Sequence, residues 1–261
     1  ALAGDAELFP DFFESIGVAV DEAEAELQKL LDANPKLKMP QMYYLKYKIY
    51  MAKPDFRAAF GAIREGCAVF PDVEQFRQIL ALALFNMKRY DQAESHCLEI
   101  LARNPRASRA HILLGDIREM QKRPADAAGH YARALAIEPQ NVSLRIKYAE
   151  LLITIKKYTQ AVDEYNQLLE NEEVAGQPEL LLKVALLNTR YGSLADAEQM
   201  LARAVAIKPE GKFFFNYALV LARNGKLEPA LANMQIALNR HAAELSREQL
   251  QAAEKALAAW K

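Results

Sequence analysis

The sequence predicts an all-α fold, a superhelical solenoid of antiparallel helix pairs, and three observations lead there. Ala59, Ala93, Ala127 and Ala161 stand 34 residues apart, each inside a short helix-forming stretch. Pro71, Pro105 and Pro139 keep the same spacing behind them. Phe56, Tyr90 and Tyr158 each precede one of the alanines by three residues, with Pro124 breaking that row once. A period of this length marks a supersecondary unit that cannot bury its apolar face alone and must stack on its neighbours.

The units follow in order along the chain. Residues 1–39 read as a degenerate N-terminal repeat: Phe9, Phe12, Phe13 and Ile16 form its first helix despite Pro10, and Ala23, Leu27 and Pro35 occupy the matching places of its second. Residues 40–73 open with PQMYYLKYKIYMAKPDF, where Leu45, Tyr47, Ile49 and Met51 alternate as in a strand. Tyr43, Tyr47 and Tyr50 also fall on one helical face, and the repeat register makes the segment a helix with those three toward the stack. Tyr44, Lys48 and Met51 take the adjoining face. Tyr47 and Lys46 stand where other units carry a small and an aliphatic residue, so this pair is expected to be splayed.

Units 74–107, 108–141 and 142–177 keep the register, an insertion near NEEVAGQP lengthening the last, and 178–210 and 211–243 complete six pairs. Small residues meet where the two helices of a pair cross. Ala59 and its equivalents face Ala81, Gly115, Ala149, Ala185 and Ala218, and methyl-sized side chains let helix axes approach to about 8–10 Å. The prolines stop each second helix and extend the chain into the next pair. Residues 246–260 form a capping helix: Ser246 with Gln249 is a capping box, Leu245 with Leu250 a hydrophobic staple, and Leu250, Ala253, Leu257 and Trp260 cover the last pair.

The stretch from Leu113 to Pro139, with its Leu-Gly pair, Ala127, Tyr131, Ala134 and closing proline, resembles the tetratricopeptide repeat family. The resemblance extends over roughly residues 20–240 and implies a right-handed superhelix. All of the chain is then expected to form one solenoid domain.

Composition excludes several classes. With 33 Lys and Arg against 34 Asp and Glu, no basic field would hold a nucleic acid or an anionic membrane. RNA reading by a related helical repeat would also need a polar groove. No apolar run is long enough to span a membrane. The N-terminal ALAGDAELFP lacks a basic start and an initiator Met, so a processed form or an excised segment is expected.

No Walker loop, GxGxxG, GxSxG, HExxH or CxxC motif occurs. His96 and His130 are one repeat apart, too distant for one metal, and with His111 and His241 are expected to point outward. Cys97 falls at the core place of Tyr131 and Tyr165 and reads as an inert buried thiol; Cys67 could pair with it in an exported protein. Asp116 and Glu150 form a candidate carboxylate pair, read as a solvated acidic patch before acid–base chemistry. No cofactor or metal is expected.

The resemblance implies that the first helices line a concave groove for partner peptides, through the second, fifth, ninth, twelfth and thirteenth places of each unit. The fifth place reads Tyr44, Gln78, Ile112, Ile146, Leu182 and Phe215. The ninth reads Lys48, Leu82, Asp116, Glu150, Leu186 and Leu219; the twelfth adds Met51, Phe85, Glu119, Ile153, Thr189 and Ala222. The Lys and Asn pattern by which chaperone adaptors of this family hold a C-terminal carboxylate is absent, Lys48 alone remaining.

The groove is instead an apolar row interrupted by Asp116, Glu119 and Glu150, suited to an amphipathic helix or extended peptide with apolar anchors and a central basic residue. The alternative for the row is burial, by a tight superhelix or by the final helix folding into the groove. A non-enzymatic scaffold is expected, of the kind found in bacterial assembly or secretion complexes, in the cytoplasm or periplasm. The alternatives are a self-associating module or the interaction segment of a larger protein.

Overall fold

The computed structural model describes residues 20–33, 38–53 and 55–260, and every regular element among them is helical. The expected helix around Phe9, Phe12, Phe13 and Ile16, and the Pro35 landmark, lie outside the described residues. The chain divides after Ile137 into two compact units.

The first unit contains α1 (Val20–Ala33), α2 (Pro40–Ala52), α3 (Phe56–Val69), α4 (Glu74–Asn86), α5 (Tyr90–Arg103), α6 (Ser108–Met120) and α7 (Pro124–Ile137). From α2 onward, consecutive helices pack as pairs, α2 on α3, α4 on α5 and α6 on α7, and the first helices α4 and α6 also touch. Ala59, Ala81, Ala93 and Ala127 are at most 1% exposed, so the small residues do sit at the crossings. Gly115 is the tightest of them: a Cβ there would lie 2.2 Å from a ring carbon of the fully buried Tyr131. Helix α1 rests on the other side of α2, where Leu27 and Ile49 are buried with Leu31, Met42 and Leu45 around them.

Helix α2 confirms that register prevails over alternation. Its Pro40 stands at the first turn, where a missing N–H costs nothing. Tyr43 is buried edge-on to Phe70 with ring centroids 5.9 Å apart, facing the stack. A hollow of about 370 Å³ lies beside the pair, between Tyr47, Ala59, Ile63 and Leu82.

The ends of the first helices share a device. Lys88, Lys122 and Lys156 all have φ near +60°, and Gly225 has φ of +78°. Lys122 N–H donates to Glu119 C=O at 2.9 Å and Arg123 N–H to Arg118 C=O at 2.8 Å, the paired bonds of a Schellman motif; Lys88 and Lys156 repeat them. The starts are tied to the preceding loop as well. Arg77 donates to Pro71 C=O at 3.0 Å, and Arg145 to Pro139 C=O at 2.7 Å. His111, at the same place in its own repeat, bonds the backbone of Pro105.

The second unit contains α8 (Val142–Thr154), α9 (Tyr158–Leu168), the short α10 (Glu172–Ala175), α11 (Pro178–Tyr191), α12 (Leu194–Ile207), α13 (Gly211–Arg223), α14 (Leu227–His241) and α15 (Arg247–Trp260). Ala149, Ala161, Ala185, Ala197, Ala218 and Ala230 are fully buried at its crossings. The insertion in NEEVAGQP forms α10, whose Val174 joins the core with Leu181 and Val184. At α15 the capping box is present: Ser246 N–H donates to Gln249 Oε1 at 2.9 Å, and Gln249 N–H to Ser246 Oγ at 3.2 Å. Leu245 and Ala253 are buried against α13 and α14 residues, with Leu250, Leu257 and Trp260 at the border.

Candidate functional site

In the first unit, three successive first helices turn one face each toward a hollow of about 550 Å³. Helix α2 contributes Tyr44, Tyr47, Lys48 and Met51; α4 contributes Gln75, Gln78, Ile79 and Leu82; α6 contributes Arg109, Ile112 and Asp116; Cys97 and Ile100 of α5 lie at its floor. The helical period brings them together, because residues four apart on each first helix present the same face. Its volume is that of a pocket able to take one or two large side chains. Leu82 is 51% and Met51 40% exposed at its mouth, so apolar surface is open to a partner.

Of the expected groove residues, Tyr44, Lys48, Met51, Gln78, Leu82, Ile112 and Asp116 line this hollow. Phe85 does not; it turns onto Tyr90 of its own pair, with ring centroids 5.6 Å apart. Tyr47, expected toward the stack, also lines the hollow, 6.2 Å from the Tyr44 ring. Gln75 and Arg109 complete it from the second place of their repeats. That row shares the 34-residue spacing and was open to reading in the sequence.

The second unit treats the same places differently. Phe215 is only 6% exposed, buried with Met234, Leu245 and Ala253, because the capping helix closes over the last pair. Ile146, Ile153 and Leu182 are half-buried against the core. Leu186 remains 46% exposed.

The acidic residues already have partners. The Tyr131 hydroxyl lies 2.5 Å from an Asp116 carboxylate oxygen and also against Glu119. Burial and these carboxylates push the phenol far above its ordinary pKa, so it stays a donor. Lys183 donates to Glu150 at 2.8 Å and lies over the Tyr165 ring. A central basic residue in the partner is therefore not required to satisfy these groups.

The histidines differ from expectation. His111 is 7% exposed and its ring lies 5.8 Å from that of His130, since the fourth place of the repeat points into the loop junction. Burial lowers the pKa of His96, His111 and His130, and the neighbouring His111 lowers His130 further. His241 stacks on Phe214 at 5.4 Å and bonds Glu244 at 2.9 Å. Cys67 and Cys97 are free thiols, and burial pushes Cys97 up to about 12. Among the described residues no group of three or more His, Cys, Asp or Glu could hold a metal ion, and no helix is long and apolar enough to cross a membrane.

Comparison with known proteins agrees with this architecture. Residues 80–142 and 120–175 each match a family model described as tetratricopeptide repeat. Tetratricopeptide repeat protein 21B of Xenopus laevis is 26% identical over 61% of the chain, and a DnaJ homolog subfamily C member 7 homolog of Dictyostelium discoideum 24% over 54%. The matched regions are 12% and 27% of those relatives' lengths. YrrB, a TPR protein with an unusual peptide-binding site, superposes with a TM-score of 0.57 at 16% identity, over 74% of this chain and 98% of its own. The Naa15/Naa10 complex bound to HypK-THB gives 0.65 at 15% identity, over 85% of this chain and 33% of that one. The 34-residue register, the buried small residues at the helix crossings and these matches together make the chain a tetratricopeptide repeat protein.

Proposed function

We propose that this chain is a non-enzymatic adaptor that captures a segment of another protein in the hollow of its first unit. The observation that carries the reading is the hollow itself: about 550 Å³, with Leu82 and Met51 exposed at its mouth, Ile79 and Ile112 on its walls and the buried Ile100 beneath them. Binding energy concentrates where a few large side chains fill such a recess and expel water. The peptide-binding site attributed to YrrB, a protein of the same fold, supports this role for a repeat of this type. Binding rather than catalysis is favoured because the groups that could do chemistry are engaged structurally, Asp116 and Glu119 by Tyr131, Glu150 by Lys183, and Cys97 by burial.

The test replaces Leu82 and Ile112 with Asp and compares affinity capture from the native cell with the unaltered chain. A charge set into the recess should cost about 2 kcal/mol or more, roughly thirtyfold in Kd, and partners should drop out while the far-UV circular dichroism is kept. An unchanged set of captured proteins would overturn the reading. The same experiment bears on place in the cell, since the retained partners would name a bacterial assembly or secretion complex if the chain serves one.

A further inference from the structure

The polar rim of the hollow is unbalanced. Lys48 lies over the Tyr44 ring, 5.7 Å from its centroid, and has no carboxylate partner among the described residues. Arg109 has none either. Four arginines of this unit stand in ion pairs, Arg77 with Glu99, Arg118 with Glu94, Arg103 with Asp72 and Arg123 with Asp126, and none of the four lines the hollow. Asp116, which also lines the hollow, accepts from the Tyr131 hydroxyl. Two unengaged cations thus stand beside apolar surface and one engaged carboxylate.

Resting on the binding role above, we infer that the partner segment is acidic and carries aromatic anchors. A neutral segment covering the hollow would strip water from Lys48 and Arg109 without replacing it, a cost that grows with burial. A basic segment would add like-charge repulsion. A segment with Asp or Glu beside its anchors pairs with both cations. The tilted Tyr44 and Tyr47 rings at 6.2 Å offer edges and faces to an aromatic side chain.

A suitable probe is the fluorescein-labelled peptide DAELFPDFFESI, which has the sequence of residues 5–16 and carries four carboxylates, three Phe and no Lys or Arg. Its control has the four acidic residues replaced by Lys. Fluorescence anisotropy with the full chain should show saturable binding of the acidic peptide, weakened on the order of tenfold in a Lys48→Glu/Arg109→Glu variant and weakened again by added salt. Both substituted side chains are exposed, so folding is retained, which circular dichroism checks.

Equal or tighter binding of the Lys peptide would overturn the acidic preference while leaving the hollow as a binding site. If Leu82→Asp leaves the affinity for either peptide unchanged, the hollow is not their site, and the binding role falls with the inference. Self-association of the full chain that disappears in the Lys48→Glu/Arg109→Glu variant would replace the foreign partner by a second copy.

Discussion

Two glycines in one helix pair should respond oppositely to the same substitution. At Gly115 a methyl group would lie 2.2, 2.6 and 2.9 Å from three carbons of the Tyr131 ring, against ordinary contacts near 3.5–4.0 Å. Tyr131 is fully buried and cannot swing aside without moving its hydroxyl off Asp116 and Glu119. Overpacking of this kind costs about 1–3 kcal/mol. A disrupted hydrogen bond to a charged group adds about 1.5–3 kcal/mol. Better helix propensity returns up to about 1 kcal/mol, so Gly115→Ala should destabilise by about 1.5–6 kcal/mol.

Gly129, in the partner helix α7, has nothing within 4 Å of its would-be Cβ, and only the propensity gain applies. Gly129→Ala should therefore stabilise by about 0.5–1 kcal/mol. Urea unfolding followed by circular dichroism, with hydrogen exchange of the α6 and α7 amides, reads both variants. A Gly115→Ala variant within about 0.5 kcal/mol of the parent, or a Gly129→Ala variant equally damaging, would refute the packing argument.

Stability should also depend on pH through His96, His111 and His130, which folding draws partly or wholly out of water. Their folded pKa values lie below 6.5, so the unfolded chain binds more protons in the window just beneath that value. The urea midpoint should hold above pH 6.5 and fall as the pH drops toward 5, with a shallower fall in His130→Gln. Lys122 carries a left-handed backbone that Gly adopts freely, so Lys122→Gly should raise stability by about 0.5–1 kcal/mol. Thermal melts check that sign. Ser246→Ala removes one half of the capping box and should cost about 1 kcal/mol, read by Trp260 fluorescence at the end of the same helix.

The repeat was legible because its landmarks are geometric necessities. A helix crossing tolerates only small residues, as at Ala93 and Gly115, and a chain leaving a helix favours proline; both recur at fixed spacing whatever the surface does. The capping helix was equally open to reading, since Ser246, Gln249, Leu245 and Leu250 are local. The three lysines with positive φ share the same spacing, but lysine has no preference for that conformation to announce it.

The site was read in part. Counting helical faces picks out Tyr44, Leu82 and Ile112, yet whether a face stays open depends on contacts distant in sequence. Phe215 closes because α15 returns over it, and the Asp116 and Glu119 patch is engaged because Tyr131 reaches it from the next helix. His111 was misplaced for a similar reason, as its role as a loop tie becomes visible only beside Arg77 and Arg145 doing the same work.

The central claim is that partners enter the hollow of the first unit, and site-specific photo-cross-linking tests it directly. Leu82 and Leu98 are 51% and 52% exposed on the two helices of one pair, but only Leu82 lines the hollow. A photoreactive phenylalanine analogue at Leu82 should cross-link a partner in the native cell, and the same group at Leu98 should not. Cross-links from Leu98 with none from Leu82 would contradict the account.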